Sequence, residues 1–235
     1  MSELKAVLFD LDGVLVDSHY LHYRSWDMLA KDLSLNFTQK QGDDFRGMAR
    51  EVCLERLFTV FNDKPLPSKE ECKELTDRKN RYYLDLLHNC DPDELRLPGA
   101  VKLLEDLNEA GIRSVVASGS KNAKDVIRCA KLEPYFYAVV DRMDIIKTKP
   151  APDIFLKAQE VSGAAPNEVV GIEDAVLGIQ ALRAAGFKCV GVGEYVKDSD
   201  ADLIRPSIAE VTVKDFQTLC DALELRLHAV ELLLV

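Results

Sequence analysis

Residues 9–18 read FDLDGVLVDS, so two carboxylates, Asp10 and Asp12, follow directly on the apolar run AVLF. An ionised carboxylate at the mouth of a buried strand is costly unless something binds or pairs with it, which implies a metal, a held proton or a reaction. Comparable groups recur along the chain: Ser118 after IRSVVA, Glu173 and Asp174 after EVVGI, and Lys149 just before the helical stretch PAPDIFLKAQEVSG. Four acids, one hydroxyl and one amine at a common rim would hold a hard cation of the Mg2+ type through the carboxylates and a phosphate through Ser118 and Lys149. The segment ASGSKN adds a glycine and exposed backbone N–H groups at a helix start, which suits an anion.

Those residues need a scaffold that brings strand ends together. Beyond residue 98 the pattern repeats: a short β-branched run, a polar break, then a helix-length amphipathic segment. IRSVVA (112–117) stops at SGSKN and leads into a helix reaching about Lys131. YAVV (137–140) stops at Asp141, EVVGI (168–172) stops at Glu173, and a helix follows to Gly186, where glycine suits the C-terminal cap. KCVGVG (188–193) completes the series. Strands alternating with helices imply parallel pairing with right-handed crossovers, hence an α/β fold with a Rossmann-like parallel sheet to which the opening KAVLF also belongs. In such sheets ligands bind beyond the carboxyl ends of the strands, where these acids stand. Between the first strand and the rest lies a stretch with no strand pattern and candidate helices at 19–34, 48–60 and 68–88. The expected division is a core of residues 1–17 and 96–235 and an inserted α-helical cap of residues 18–95.

Composition narrows the function classes. The chain has 235 residues, 47% of them hydrophobic and 30% charged, which is ordinary globular usage. Its net charge of −10 argues against general binding to nucleic acid or anionic membranes, though not against a local basic pocket. Six cysteines form no CxxC pair and have no histidine spacing suited to zinc, so they read as reduced, mostly buried thiols. With no evident signal peptide, a cytoplasmic location is expected. The tail LCDALELRLHAVELLLV is too charged to span a bilayer and is expected to form an amphipathic helix docked on the body, the alternative being a second subunit. A monomer is expected in preference to a homodimer.

FDLDGVLVDS, VVASGSKN, KTKPAPDIF and GIEDAVLGIQALRAAG resemble, in order and spacing, the four motifs of the haloacid dehalogenase superfamily. The resemblance runs from Leu4 to Gly193. It implies that Asp10 attacks phosphorus and becomes an aspartyl phosphate, with Asp12 as general acid and base. It places Mg2+ between Asp10, the Asp12 carbonyl and Asp174, with Glu173 supporting the metal shell, and gives Ser118 and Lys149 the transferring phosphoryl group.

The insert carries HYLHYRSW, FRGMAR and DRKNRYY, which resemble the cap of the β-phosphoglucomutase-like subgroup. By that resemblance His22 orients Asp12, and Arg46 with neighbouring Gly47 belongs to the substrate-binding set, Arg46 standing where lysine is usual. Arg50 grips the phosphate not being transferred, joined by Ser120, Lys121 and Asn122, while Lys79 and Asn80 reach the sugar. The implied reaction interconverts β-D-glucose 1-phosphate and glucose 6-phosphate through a bisphosphate. A phosphatase of the same superfamily, hydrolysing a sugar phosphate or another small phosphomonoester, is the alternative. Arg46 puts sugar preference in question, because a planar guanidinium is not equivalent to an ammonium. Simpler roles remain open: His22 shares a helical stripe with Trp26, Leu29 and Leu33 and could be a core histidine, and Arg46, Arg50 and Lys79 could be solvated surface. A phospho-receiver also gathers acids, a hydroxyl and a lysine at a sheet rim, but is much shorter and lacks an insert here.

Overall fold

The computed structural model describes residues 3–46 and 48–221. It divides the chain into two compact units, Ser18–Asp91 and the remainder.

The larger unit is built on a six-stranded, wholly parallel sheet. In chain order its strands are β1 (Ala6–Phe9), β2 (Arg113–Ala117), β3 (Ala138–Val140), β4 (Val169–Glu173), β5 (Lys188–Val192) and β6 (Leu203–Arg205). Their spatial order is β3-β2-β1-β4-β5-β6. β1 is thus central, its Phe9 in register with Val116 on one side and Ile172 on the other. Val7, Leu8 and Phe9 are fully buried, as expected of a strand covered on both faces. Burial of each such side chain contributes about 1.5–3 kcal/mol, which is what holds the strand's carboxyl end in place.

The sheet differs from the sequence expectation at its edge. KCVGVG does not end the series, because β6 adds a further strand beyond it. Three half-buried residues carry too little alternation to announce a strand.

The smaller unit is helical: α1 (His19–Asp32), α2 (Gln39–Asp43), α3 (Arg50–Thr59) and α4 (Lys69–His88). Ser68 and Glu71 form a reciprocal capping box that starts α4, and Thr38 with Gln41 does the same for the unforeseen α2. Its core gathers Trp26, Leu29, Leu54, Leu57 and Leu75, with Phe45 stacked between Phe37 and Phe61. Helices α5 (Pro92–Leu95), α6 (Ala100–Glu109), α7 (Ala123–Cys129), α8 (Asp153–Ser162) and α9 (Val176–Ala184) belong to the larger unit.

All six cysteines are free, with Cys53, Cys189 and Cys220 buried and the other three half-buried. Burial pushes the Cys53 thiol up to about 12 and Cys189 to about 11. Among the described residues no helix is long and apolar enough to cross a membrane. The expected tail helix falls almost entirely on residues 222–235, outside the described residues.

Candidate active site

Asp10 is the first residue past β1, and its backbone N–H donates to the Ile172 carbonyl at 3.0 Å. That bond fixes the acid against β4, whose last residue is Glu173. The chain then turns through Gly13, at φ +92°, where a side chain would be strained. Gly13 N–H closes the turn on the Val16 carbonyl at 2.8 Å.

Lys149 joins the two strand ends. Its ammonium donates to Asp10 Oδ1 at 2.5 Å and to Glu173 Oε2 at 2.6 Å, above the buried Phe155 ring at 4.9 Å from the centroid. Burial opposes the charge on Lys149, but Asp10 and Glu173 outweigh it and hold the amine above its ordinary range. Burial, reinforced by Asp174 and Asp12 and opposed by Lys149, raises Asp10 to about 6. Glu173 is raised well above the ordinary carboxylate value by burial and by Asp10. Its Oε1 accepts from the Asp174 and Ala175 N–H groups, both at 3.2 Å.

Asp10, Glu173 and Asp174 can each turn one oxygen to within 4.8 Å of the others. Lys149 reaches two of these three acids, so the cluster holds more carboxyl groups than ammonium groups. Oxygen donors of that kind fit a hard divalent cation.

Ser118 follows β2 and is buried, its N–H bonded to the Val140 carbonyl at 3.0 Å. Ser118 Oγ accepts from Ser120 N–H, and Ser120 Oγ accepts from Asn122 N–H, each at 3.1 Å. Two serines therefore fold the Ser118–Asn122 segment into a compact loop ahead of α7.

The insert, taken by itself, makes its own cluster. Lys79 is buried, with Nζ 2.8 Å from His22 Nδ1 and close over the Trp26 and Tyr83 rings at 5.3 and 5.1 Å. His22 stacks on Tyr83 with centroids 4.3 Å apart. Lys79 is therefore not solvated surface, which corrects the simpler reading of that residue. Arg50 is half-buried and donates to Asn80 Oδ1 at 2.9 Å. Arg46 stands 3.9 Å from Asp43, and Gly47 lies outside the described residues.

Two contributors escape the sequence reading. Phe155 lies under Lys149, and Gly178 on α9 packs against Glu173. The signal for Gly178 was its place five residues after Glu173, on the first turn of the following helix.

A parallel α/β sheet with an aspartate just past its first strand, and a lysine bridging it to the acid that ends the fourth, defines the fold and the candidate site. The chain belongs to the haloacid dehalogenase-like hydrolases, whose sequence pattern matches residues 4–186. It is 35% identical to a β-phosphoglucomutase of Bacillus subtilis, over 90% of this chain and 93% of that protein. It is 27% identical to a phosphorylated carbohydrates phosphatase of Thermotoga maritima, over 88% and 94% respectively. Among solved structures, a β-phosphoglucomutase from Clostridium difficile superposes with a TM-score of 0.85 at 31% identity, covering 94% of this chain and 99% of that one.

Proposed function

We propose that the protein is a Mg2+-dependent phosphotransferase of the β-phosphoglucomutase type, interconverting β-D-glucose 1-phosphate and glucose 6-phosphate. The observation that carries the phosphotransfer chemistry, common to this reading and its alternative, is the Lys149 ammonium held between Asp10 and Glu173 beside Asp174; the mutase is supported by the 35% identity to the Bacillus subtilis β-phosphoglucomutase.

Asp10 is the nucleophile. At about 6 its raised value still leaves it mostly ionised at neutral pH, the form that attack on phosphorus requires. A bond forms from an Asp10 oxygen to phosphorus while the ester P–O bond breaks. Asp12 gives its proton to the departing sugar oxygen, and later removes one from the hydroxyl that attacks the aspartyl phosphate. Lys149 and Ser118 hold the phosphoryl oxygens, supplying charge and orientation where the transition state needs them. Mg2+, held by Asp10, Asp174 and the Asp12 carbonyl with Glu173 in support, would supply further positive charge against those oxygens. Ser120, Lys121 and Asn122 on the core and Arg50 on the insert are assigned the second phosphate, Lys79 and Asn80 the sugar, and His22 the orientation of Asp12.

The phosphatase reading is the alternative, supported by the similarity to the Thermotoga maritima phosphatase, while Arg46 in place of lysine bears on sugar preference. Both readings form the aspartyl phosphate and differ in whether a sugar hydroxyl or water attacks it. Supplying β-glucose 1-phosphate, Mg2+ and a trace of glucose 1,6-bisphosphate separates them. Glucose 6-phosphate is expected to dominate; dominant release of inorganic phosphate would overturn the mutase.

A further inference from the structure

The compact Ser118–Asn122 loop is tied at both ends to two consecutive residues. At its start Ser118 N–H donates to the Val140 carbonyl at 3.0 Å. Just past its end, on α7, Lys124 Nζ lies 3.1 Å from Asp141 Oδ2. Asp141 is buried and held from two more directions: Oδ1 accepts from Met143 N–H at 2.8 Å, and its own N–H donates to Asp144 Oδ2 at 2.9 Å. The anchor is therefore rigid, while the lysine that grips it is 64% exposed. The same segment, residues 141–149, runs on to Lys149. One short stretch after β3 thus sets both the loop and the bridging ammonium.

We propose that Asp141, acting through Lys124, is a positioning residue that holds the Ser118–Asn122 loop in register with Lys149 for phosphate binding. The inference rests on the reading of that loop as the phosphate holder. Neither residue is assigned a contact with the phosphate. Their role is to keep the loop's hydroxyl and N–H groups converged before the ligand arrives, so that binding does not first have to order the loop. The contribution is bounded by the lysine's exposure, because an ion pair with one solvated member contributes little.

The test is inorganic phosphate binding by calorimetry in Mg2+, with thermal melting of the same samples. Lys124→Met is expected to weaken phosphate roughly three- to fivefold, the range of a partly exposed pair, with a melting temperature near that of the wild type. Lys124→Arg should restore wild-type affinity, and adding Asp141→Asn to Lys124→Met should cost little more. Wild-type affinity in Lys124→Met, or a loss matched by lowered melting, would overturn the positioning role. A wild-type protein that binds no phosphate would instead overturn the phosphate-loop reading itself, and this inference with it.

Discussion

A Cβ added at Gly178 would stand 2.0 Å from the Cδ and Oε2 of Glu173, the same oxygen that the Lys149 ammonium bonds. Glu173 is boxed in by the ammonium, two backbone N–H groups and the bare face of α9. Gly178→Ala must therefore displace the carboxyl or the helix. Overpacking of this kind costs about 1–3 kcal/mol, and a shifted Lys149 should lower turnover at least about tenfold. Urea unfolding and turnover of the same variant measure both, and wild-type turnover would show that the Glu173 position is not needed.

Asp10→Asn keeps the shape of the side chain and removes the proposed nucleophile. Turnover should vanish while thermal melting stays cooperative. Appreciable turnover would remove Asp10 from its role.

Mg2+ should raise the melting temperature through the cluster of Asp10, Glu173 and Asp174. At a concentration one hundred times the dissociation constant, linkage gives about 2.7 kcal/mol. Asp174→Asn should remove most of that shift, and an undiminished shift would place the cation elsewhere.

Burial pushes His22 well below its ordinary 6.5, and Lys79, His19 and Arg50 push the same way. The unfolded chain therefore takes up this proton below pH 6.5 while the folded insert refuses it. Stability from this group is fully present above pH 6.5 and is lost as pH falls, by up to about 1.4 kcal/mol per pH unit. Melting from pH 8 to 5 should fall more steeply for the wild type than for His22→Gln, and equal slopes would contradict the buried neutral imidazole.

Arg50→Ala tests the second phosphate grip. Mutase turnover should drop far more, by about tenfold or greater, than hydrolysis of a small phosphate ester that has no second phosphate. Equal losses would argue that Arg50 serves only to hold Asn80.

The gathering of Asp10, Glu173 and Asp174 in the candidate site was legible because these groups sit where sharp composition changes fall: AVLF into Asp10, and EVVGI into Glu173 and Asp174. Burial of both sheet faces makes each strand a continuous apolar run, so its end is visible as the first charge. What hid were contacts that need three dimensions. Asp141 reads as a strand stop, and nothing in its neighbours reveals that Lys124 reaches it. Lys79 reads as one charge among many on α4, because its burial depends on Trp26 from another helix. β6 was hidden by brevity, since an edge strand of three residues has no period to detect.

The placement of β1 has a consequence for how the molecule is made. Its neighbours are residues 113–116 on one side and 169–172 on the other, so β1 leaves the ribosome well before either of its partners. Until β4 emerges, one edge of β1 has nothing to pair with, and the helical insert can collapse around its aromatic core well before the sheet can close. Nascent chains stalled before residue 169 would therefore carry a finished insert and an open, sticky apolar strand, a natural target for chaperones.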